Sequence, residues 1–403
     1  MPELGEVAHA AKLLATHLKG KNISRFAPDL KDVIVFPQNA IKTTTAAESA
    51  KSPYFASSAS TTPSSVAIQY VGKTIVDVGR HGKYFWMVLY GDSPSQSPKS
   101  LYSVILMHFG MTGWISIKSV ATHFYPMERG PKKESAEEIA EVWPPRFTKF
   151  ELSTQDGMEV AFTDPRRLGR VRFLEIESDK TIADGSDVLA SDIEAQLKKI
   201  EPLCRSGPDF SKPDSRWDLA TFSTVIRKRK VPVKSFLLDQ ACCAGIGNWM
   251  GDEILYLSRL HPEQYTQDLS NSDIEELYKN LCEVSELTVK TEGNTAEFPE
   301  SWLMLHRWSK KQKSGDRPIT AAGYTVDYVT VGGRTSCFVP ALQKLKRSWQ
   351  DDEPGQFDDN LTEGKRVKPK LSKTSAPKKS KRAETATNLS ATPAPRRNTR
   401  SSK

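Results

Sequence analysis

The feature of this sequence that most restricts its fold is a change of residue periodicity near Ser186. Before that point, short runs of β-branched and aromatic residues recur at fairly regular spacing, which is typical of an antiparallel sandwich or flattened barrel. After it, apolar residues recur at helical spacing. The sequence therefore predicts an α+β chain, with an antiparallel β-sandwich flanked by helices and then a helical domain. The predicted strands are Val66–Val71, Thr74–Val78, Tyr84–Tyr90, Tyr102–His108, Trp114–Ile117, Phe147–Ser153, Glu159–Phe162 and Val171–Ile176.

A first helix is predicted directly after the N-terminus, because apolar residues repeat at three- and four-residue spacing from Leu4 until Gly20. Near the other end, alternating runs on either side of Gly332-Gly333 predict a β-hairpin, Gly323–Val331 with Arg334–Val339. The remaining predicted helices are Ile193–Lys199, Arg216–Ile226, Asn248–Leu257 and Asp273–Val289.

These patterns divide the chain into four parts. We expect a β-sandwich domain over 1–178, a linker over 179–215, a helical domain with the hairpin over 216–346 and a disordered tail over 347–403. Two polar stretches without apolar pattern, at about 31–65 and 122–141, are expected to be insertions in the first domain.

Composition excludes several classes of protein. The five cysteines form no Cys-x2-Cys pair, which argues against a disulfide framework and a cysteine zinc site. No apolar run approaches the ~20 residues of a membrane span. The net charge of +8 is concentrated in residues 364–403, which hold 13 Lys/Arg and one acid. Residues 351–363 hold six acids and no base. A basic tail indicates a polyanionic partner or nuclear import.

The N-terminal residues Pro2-Glu3 are candidates for chemistry. Proline after Met1 favours removal of the initiator, which would leave Pro2 with a free secondary amine. Since an α-amino group has a pKa of about 8, part of it is unprotonated at neutral pH. Such an amine attacks aldehyde-level carbon to form an iminium, and Glu3 can serve beside it as general acid or base. Taken alone, the same residues also simply start a helix.

Three turns in the β-rich half carry residues of functional interest. Arg80-His-Gly-Lys83 places a cation at the start of a strand, and His108-Phe-Gly-Met111-Thr-Gly113 presents a methionine. Thr163-Asp-Pro-Arg166-Arg167-Leu168-Gly169 presents two arginines and an apolar residue. Each alone has an ordinary structural explanation as a solvated lysine, a packed methionine or a surface turn.

The helical half contains a candidate phosphate clamp. Glycines that open a helix expose backbone N–H groups that bind phosphate, and Gly245-Ile-Gly247-Asn248 lies directly before a predicted helix. The basic run Arg227–Lys230 and Lys234 precede it. Together these elements predict contacts to a nucleic-acid backbone.

In combination, these motifs resemble the formamidopyrimidine-DNA glycosylase family, the Fpg/Nei repair enzymes, over about residues 1–345. The Gly-Ile-Gly-Asn-Trp and Gly-Gly-Arg-Thr motifs resemble its plant and fungal branch. The resemblance implies that Pro2 is the nucleophile at C1′, with Glu3 assisting proton transfer and sugar-ring opening, and that Lys83 contacts DNA phosphate in the catalytic site. It also implies a further acid at Glu6, a helix-two-turn-helix motif, and the following residues at the DNA interface: Met111, Arg166 and Leu168 in the gap left by an everted base, and Lys234, Asn248 and Arg334 at the backbone.

Departures from the family pattern refine these expectations. Gly5 stands where the family has proline, which is expected to loosen the helix start. Leu168 replaces the phenylalanine of bacterial relatives. Only Cys337 lies in the region of four zinc-binding cysteines, so the hairpin resembles a zincless finger and no metal or other cofactor is expected. Residues Glu292–Asp316 are short for a lesion-capping loop, which puts strong 8-oxoguanine activity in doubt.

The leading hypothesis is a monomeric, nuclear DNA glycosylase and AP lyase that acts on oxidised purines and abasic sites in double-stranded DNA. One alternative is a protein that binds damaged or abasic DNA without turnover. Another is a chromatin-associated protein with a vestigial glycosylase-like domain. Within the enzyme hypothesis, a preference for pyrimidine lesions stays open.

Overall fold

Two facing β-sheets and a set of helices make up the described part of the chain, which confirms the α+β prediction. The computed structural model describes residues 2–37, 41–44, 69–91, 99–123, 143–307 and 317–346. All of these fall within one compact unit, Met1–Asp351. No helix in these ranges is both long and apolar enough to cross a membrane.

The elements follow one another in an order close to that predicted. The first half contains α1 (Leu4–Leu18), β1 (Ile23–Pro28), β2 (Ile41–Thr44), β3 (Thr74–His81), β4 (Tyr84–Tyr90), β5 (Ser100–His108), β6 (Trp114–Ile117), β7 (Thr148–Thr154), β8 (Glu159–Thr163) and β9 (Arg170–Ser178). The second half contains α2 (Ser186–Leu197), α3 (Leu219–Arg227), α4 (Val233–Leu238), α5 (Asn248–Leu257), α6 (Asn271–Lys290), β10 (Asp327–Val331) and β11 (Arg334–Phe338).

The strands form a four-stranded sheet in the order β1-β7-β8-β6 and a five-stranded sheet in the order β2-β9-β5-β4-β3. All pairings are antiparallel except that of the edge strand β2, which runs parallel to β9. Alternate side chains of both sheets, such as Met107 and Phe162, meet in one buried core together with the apolar face of α1. This arrangement is the expected sandwich.

The register of the five-stranded sheet places the three turns of functional interest at the same end of its strands. Tyr84 pairs with His108, and His108 pairs with Arg170. Lys83 is the residue before Tyr84 in this row. Met111 follows His108 by three residues, and Leu168 precedes Arg170 by two. The antiparallel register explains how motifs separated in sequence become neighbours.

Helix α2 covers the other face of the five-stranded sheet. Its residues Leu189, Ile193 and Leu197 are buried against strand residues that include Trp86 and Leu174. The stretch expected to be a linker thus contains a packed element. Residues 208–212 also contact the β-sandwich through Asp209 and Lys212.

The helical half contains the expected helix-two-turn-helix arrangement. Helix α4 is followed by turns over residues 239–247 and then by α5. Leu4, the first residue of α1, is fully buried in the core of this half. The hairpin of β10 and β11 packs beside α5 through a small cluster that includes Tyr256 and Cys337.

Gly5 has a different effect from the one expected. Helix α1 runs regularly from Leu4, and Gly5 is buried where α1 crosses the end of α6. A Cβ atom at Gly5 would lie 2.7 Å from Thr288 Cγ2 and 2.8 Å from Gly293 Cα. The glycine therefore permits a close helix contact, because any side chain would collide with both neighbours.

Several local predictions differ from the structure. The predicted strand Val66–Val71 is wrong at Gln69 and Tyr70, which are helical. Strand β1 escaped detection because a register shift between Ile23 and Arg25 disrupts its alternation. Helix α4 is too short to show a helical period.

The two expected insertions are only partly within the described residues. The stretch expected as an insertion from residue 31 begins with packed residues, because Asp32, Val35 and Phe36 are buried. Most of 38–68, residues 124–142 of the second insertion and the tail from residue 347 lie outside the described residues.

Candidate active site

Glu3 lies where the β-sandwich and the helical half meet. It is the N-cap residue of α1, and its side chain is 3% exposed. The backbone N–H of Trp249 donates to Glu3 Oε1 at 3.2 Å, and that of Met250 donates to Oε2 at 3.3 Å. The carboxylate thus occupies the N-terminus of α5, where free N–H groups and the helix dipole stabilise negative charge.

Gly247 makes this contact possible. A Cβ atom at Gly247 would lie 2.0 Å from Glu3 Cδ, far inside any tolerable distance. Gly245, with φ +95°, likewise approaches Leu4, and a Cβ there would lie 2.8 Å from its Cδ1. The Gly-Ile-Gly pattern predicted phosphate binding for these glycines, whereas in the structure they admit the start of α1.

The carboxylate of Glu3 experiences opposing effects. Burial raises its pKa, while the charge of Lys83 and the two helix N–H groups lower it, and the balance is a raised pKa. The neighbouring Glu6 accepts a hydrogen bond from the Glu3 backbone N–H at 3.0 Å. Burial and the nearby Glu3 carboxylate raise the pKa of Glu6 to about 7. Glu6 can therefore hold or release a proton near neutral pH.

Lys83 is held against the same turn. Its Nζ donates to the Ile246 carbonyl at 2.9 Å, and burial lowers its pKa even though Glu3 opposes that change. The preceding Gly82 has φ +55°, and a Cβ there would lie 2.9 Å from Ala244 Cβ. Lys83 and Glu3 are thus both fixed against the segment that leads into α5.

Asp209 fixes the turn that carries Lys83, a role that the residue pattern did not predict. Its fully buried carboxylate accepts hydrogen bonds from Arg80 Nη1 at 2.6 Å and from the Gly82 N–H at 2.9 Å. Burial acts to raise the pKa of Asp209, but the charge of Arg80, the hydrogen bonds from Ser211 and Gly82 and the charge of Lys212 outweigh it and hold the pKa low. An isolated Pro-Asp-Phe sequence gave no signal for this contact, which depends on tertiary structure.

Asn248 and Arg334 come together through the hairpin. Asn248 is the first residue of α5, and its Nδ2 donates to the Thr335 carbonyl at 2.8 Å. Arg334, one residue before, is exposed at the start of β11, and its charge contributes to the lowered pKa of Lys83. Arg334 therefore lies close enough to Lys83 for their charges to interact, and Asn248 bonds to the residue that follows Arg334.

The prediction that Lys234 contacts the DNA backbone is wrong. The side chain of Lys234 is fully buried. Its Nζ lies 2.5 Å from both Asp252 Oδ1 and the Asn248 carbonyl, while Arg307 Nη2 lies 2.8 Å from Asp252 Oδ2. Lys234 therefore supports the first turn of α5 from inside, and its ammonium group has no access to a phosphate.

Met111, Arg166 and Leu168 lie on two turns in direct contact. A Cβ at Gly110 would lie 2.3 Å from the Leu168 carbonyl oxygen, so the turns touch through their backbones. Arg166 is exposed, Leu168 is 38% exposed and Met111 is partly exposed. An exposed apolar residue and an exposed cation thus lie on a turn that touches the turn of Met111, and their entry into a DNA helix stays a prediction.

Pro2 is partly exposed and immediately precedes Glu3. Its position next to a buried acid is compatible with the expected amine chemistry. In the hairpin, Cys337 is buried. Within the described ranges, no three His, Cys, Asp or Glu side chains are grouped as a metal site would need.

Comparison with known proteins agrees with this geometry. Residues 1–171 match the model of the formamidopyrimidine-DNA glycosylase N-terminal domain, and residues 207–300 match that of the formamidopyrimidine-DNA glycosylase H2TH domain. The chain is 32% identical over 345 residues to a formamidopyrimidine-DNA glycosylase of Arabidopsis thaliana. The aligned region covers 86% of this chain and 71% of that relative.

Solved structures share the fold. The chain is similar to Lactococcus lactis formamidopyrimidine-DNA glycosylase bound to DNA that contains an abasic site, with a TM-score of 0.53 and 21% identity over 85% of this chain and 99% of that chain. It is also similar to the same enzyme in complex with Fapy-dG DNA, with a TM-score of 0.54 and 21% identity over 85% of this chain and 100% of that chain.

Proposed function

Because the chain belongs to the formamidopyrimidine-DNA glycosylase family, we propose that its DNA glycosylase activity in base excision repair is bifunctional and directed at oxidised purines. In this proposal the enzyme releases the damaged base from double-stranded DNA and then cleaves the strand as an AP lyase. It acts as a monomer and uses no metal or other cofactor.

The observation that carries the proposal is the environment of Glu3. A carboxylate next to the N-terminal Pro2 is buried at the N-terminus of α5, and Lys83 is bound to the same loop. Buried ionisable groups with perturbed pKa values, here Glu3 and Lys83, are typical of sites that transfer protons. The same loop leads to Asn248, which joins the hairpin that carries Arg334.

In the proposed reaction the neutral Pro2 nitrogen forms a bond to C1′ as the glycosidic bond breaks. The electron pair of that bond leaves with the base, which takes up the proton that the Pro2 nitrogen loses, so that the nitrogen regains its lone pair. Glu3 gives a proton to the ring oxygen as the C1′–O bond breaks, so an open-chain iminium forms. The iminium acidifies C2′, and loss of that proton expels the 3′ phosphate. A second elimination releases the 5′ phosphate.

The turns at the end of the five-stranded sheet are proposed to give the enzyme access to the damaged base. A base inside the stack cannot be processed, so it must be everted, and the gap must be filled. We assign Met111 and Leu168 to the gap and Arg166 to the base opposite the lesion. Because arginine donates hydrogen bonds but accepts none, a cytosine acceptor suits it, which implies a damaged guanine.

Lesion choice follows from how easily a base leaves the stack. Ring-opened formamidopyrimidines and hydantoins stack and pair poorly, so they cost less to evert than 8-oxoguanine. With a short segment over Glu292–Asp316, of which 308–316 lie outside the described residues, we expect excision of formamidopyrimidines and hydantoins well above that of 8-oxoguanine. Single-turnover rates on matched duplexes measure this order.

Borohydride trapping tests the proposed chemistry. Reduction during reaction with abasic-site DNA should give a covalent adduct that peptide mapping assigns to Pro2 in protein without Met1. An N-terminal extension that stays attached should abolish base excision, since it removes the free amine. Binding to abasic DNA without any trapped adduct would instead indicate a damage-binding protein, and an adduct on a lysine would refute the role of Pro2.

We also propose that the enzyme acts in the nucleus. The run Lys378-Lys-Ser-Lys-Arg382 resembles a nuclear localisation signal. Deletion of these five residues from a fluorescent fusion should move it out of the nucleus, and an unchanged distribution would contradict this assignment.

A further inference from the structure

The turn from Asp164 to Gly169 contains two neighbouring arginines, Arg166 and Arg167, whose side chains make different contacts. Arg166 and Leu168 project from the turn, whereas Arg167 between them has φ +57°, in the left-handed region. A non-glycine residue occupies this region at a conformational cost. Something outside the turn must therefore hold Arg167 in place.

Asp32 supplies that contact. Arg167 Nε lies 2.8 Å from Asp32 Oδ2, and Nη2 lies 2.9 Å from Oδ1, so the guanidinium binds the carboxylate with both arms. Lys149 Nζ adds a third bond to Oδ2 at 2.9 Å. Such two-armed pairs fix orientation as well as distance, which a single charge cannot do.

The position of Asp32 is itself rigid. Its side chain is 5% exposed and accepts the Val35 N–H at 3.3 Å. Val35 is buried in the sandwich core, and its carbonyl accepts the N–H of Val171 in β9 at 2.8 Å. The carboxylate is therefore attached to the same strand that begins directly after the turn.

Asp164 fixes the other side of the turn. Its buried carboxylate accepts the Gly169 N–H at 2.6 Å and the Arg166 N–H at 3.2 Å. It also accepts the Thr112 hydroxyl at 2.8 Å, which ties the turn to its neighbour containing Met111. Between them, Asp164 and Asp32 restrain the backbone on both sides of Arg166 and Leu168.

We propose that Asp32 and Arg167 are positioning residues that set the discrimination between bases opposite the lesion, by holding Arg166 and Leu168 in one orientation. This role rests on the proposed glycosylase function. The physical reason is geometric, because hydrogen bonds to a base edge require a donor at a fixed direction and distance. A turn free to rotate at Arg167 would present Arg166 over a range of directions and would read the opposite base poorly.

Two conservative variants test this role. Arg167→Lys keeps the charge but loses the two-armed geometry, and Asp32→Asn keeps the shape but loses the charge. Arg25→Lys is the matched control, since Arg25 forms an exposed pair with Glu151 at 2.8 Å on the other sheet. Each variant is assayed under single-turnover conditions on one hydantoin lesion placed opposite cytosine or opposite adenine, and thermal unfolding confirms that it folds.

We expect the ratio of the cytosine rate to the adenine rate to fall in both variants and to stay at the wild-type value in Arg25→Lys. A well-made arginine contact to a base contributes discrimination of roughly fivefold or more, so a fall of that order is measurable. Asp32→Asn provides an independent reading if Arg167→Lys does not fold. A ratio that stays constant, including one in which both rates drop together, would overturn the proposal.

The same assay separates this proposal from the proposed function. Wild-type protein that neither excises the hydantoin nor forms a borohydride-trapped adduct contradicts the glycosylase function itself. Wild-type protein that is active, with variants that retain its cytosine-to-adenine ratio, contradicts only the positioning role. The double variant Asp32→Asn/Arg167→Lys should lose no more discrimination than either single variant, because both remove one interaction.

Discussion

At the scale of single residues, the protonation of Glu3, the acid beside Pro2, depends on its surroundings. Glu3 is buried, and each of its oxygens accepts a backbone N–H of α5. Burial therefore does not make it inert, because the helix N-terminus compensates part of the lost hydration. Burial and the Glu3 carboxylate raise the pKa of the neighbouring Glu6 to about 7, so Glu6 can take up or release a proton near neutral pH.

Glu3→Gln should abolish base excision, because an amide cannot transfer a proton to the sugar. It should also reduce stability by about 1–3 kcal/mol, since the amide group of Gln would face one of the two N–H donors. Single-turnover excision of a formamidopyrimidine and denaturant unfolding measure the two effects. Wild-type excision in this variant would refute the role of Glu3.

Glu6→Gln should flatten the pH dependence of stability between about pH 4.5 and pH 7. Since the folded pKa of Glu6, about 7, exceeds the unfolded value of 4.5, the native state binds the proton more tightly. Its contribution is therefore full below pH 4.5 and is lost as the pH rises to 7, by up to about 3 kcal/mol.

The measurement is the free energy of unfolding across that pH range. The exposed Glu275 on α6 provides the control, since Glu275→Gln should follow the wild-type curve. A Glu6→Gln curve that parallels the wild type would contradict the raised pKa.

At the scale of elements, helix α1 contacts the helical half of the molecule in two places. Helix α1 crosses the end of α6 at Gly5, and its N-cap Glu3 binds the first turn of α5. The hairpin is joined to α5 through Asn248 and Thr335. The elements that carry the amine, the acid and the exposed Arg334 are therefore held together by short, specific contacts.

Gly5→Ala should destabilise the protein by about 1–3 kcal/mol, because the new methyl group would overlap Thr288 and Gly293. Helix propensity alone predicts the opposite sign, a gain of about 1 kcal/mol. Denaturant unfolding decides between them. Thr16→Ala, at an exposed position of the same helix, should be neutral or slightly stabilising, and a stabilising Gly5→Ala would disprove the tight crossing.

Arg334→Ala should weaken DNA binding to a similar extent on all sequences and lower the salt slope of binding by about one, because a single phosphate contact is lost. Arg317→Ala is the control, since Arg317 is paired with Asp327 at 2.6 Å. Titration with an abasic-site analogue at several salt concentrations measures both. Equal slopes for wild type and Arg334→Ala would argue against a phosphate contact.

At the scale of the whole molecule, the strongly basic segment is separate in sequence from the residues proposed for catalysis. The basic residues of 364–403 contain no apolar pattern that could build a core, whereas the residues proposed for catalysis all lie before residue 346. We expect the tail to add electrostatic affinity for DNA without taking part in the reaction.

Truncation after Lys346 should leave single-turnover cleavage of abasic-site DNA unchanged and should flatten the salt dependence of binding, since fewer phosphates are neutralised. The full-length chain is the reference for both measurements. A truncated protein that binds at saturating concentration but no longer cleaves would show that the tail contributes to chemistry.

The sequence by itself determined the elements and the chemistry that depends on local order. Strands β3 to β9 and helix α5 follow from residue periodicity, because burial on one face repeats along the chain. The adjacent Pro2 and Glu3, and the paired glycines of the hairpin turn, are also local features. The α+β class and the family resemblance came from such signals.

Only the tertiary structure decided how these residues are used. Glu3 meets Met250 across 247 positions, and Arg167 meets Asp32 across 135, so no local pattern contains either contact. Lys234 resembles a surface cation in sequence but is buried, because Asp252 and Arg307 compensate its charge inside the fold. Burial and charge pairing are properties of neighbours in space, and for these residues the fold alone supplies the neighbours.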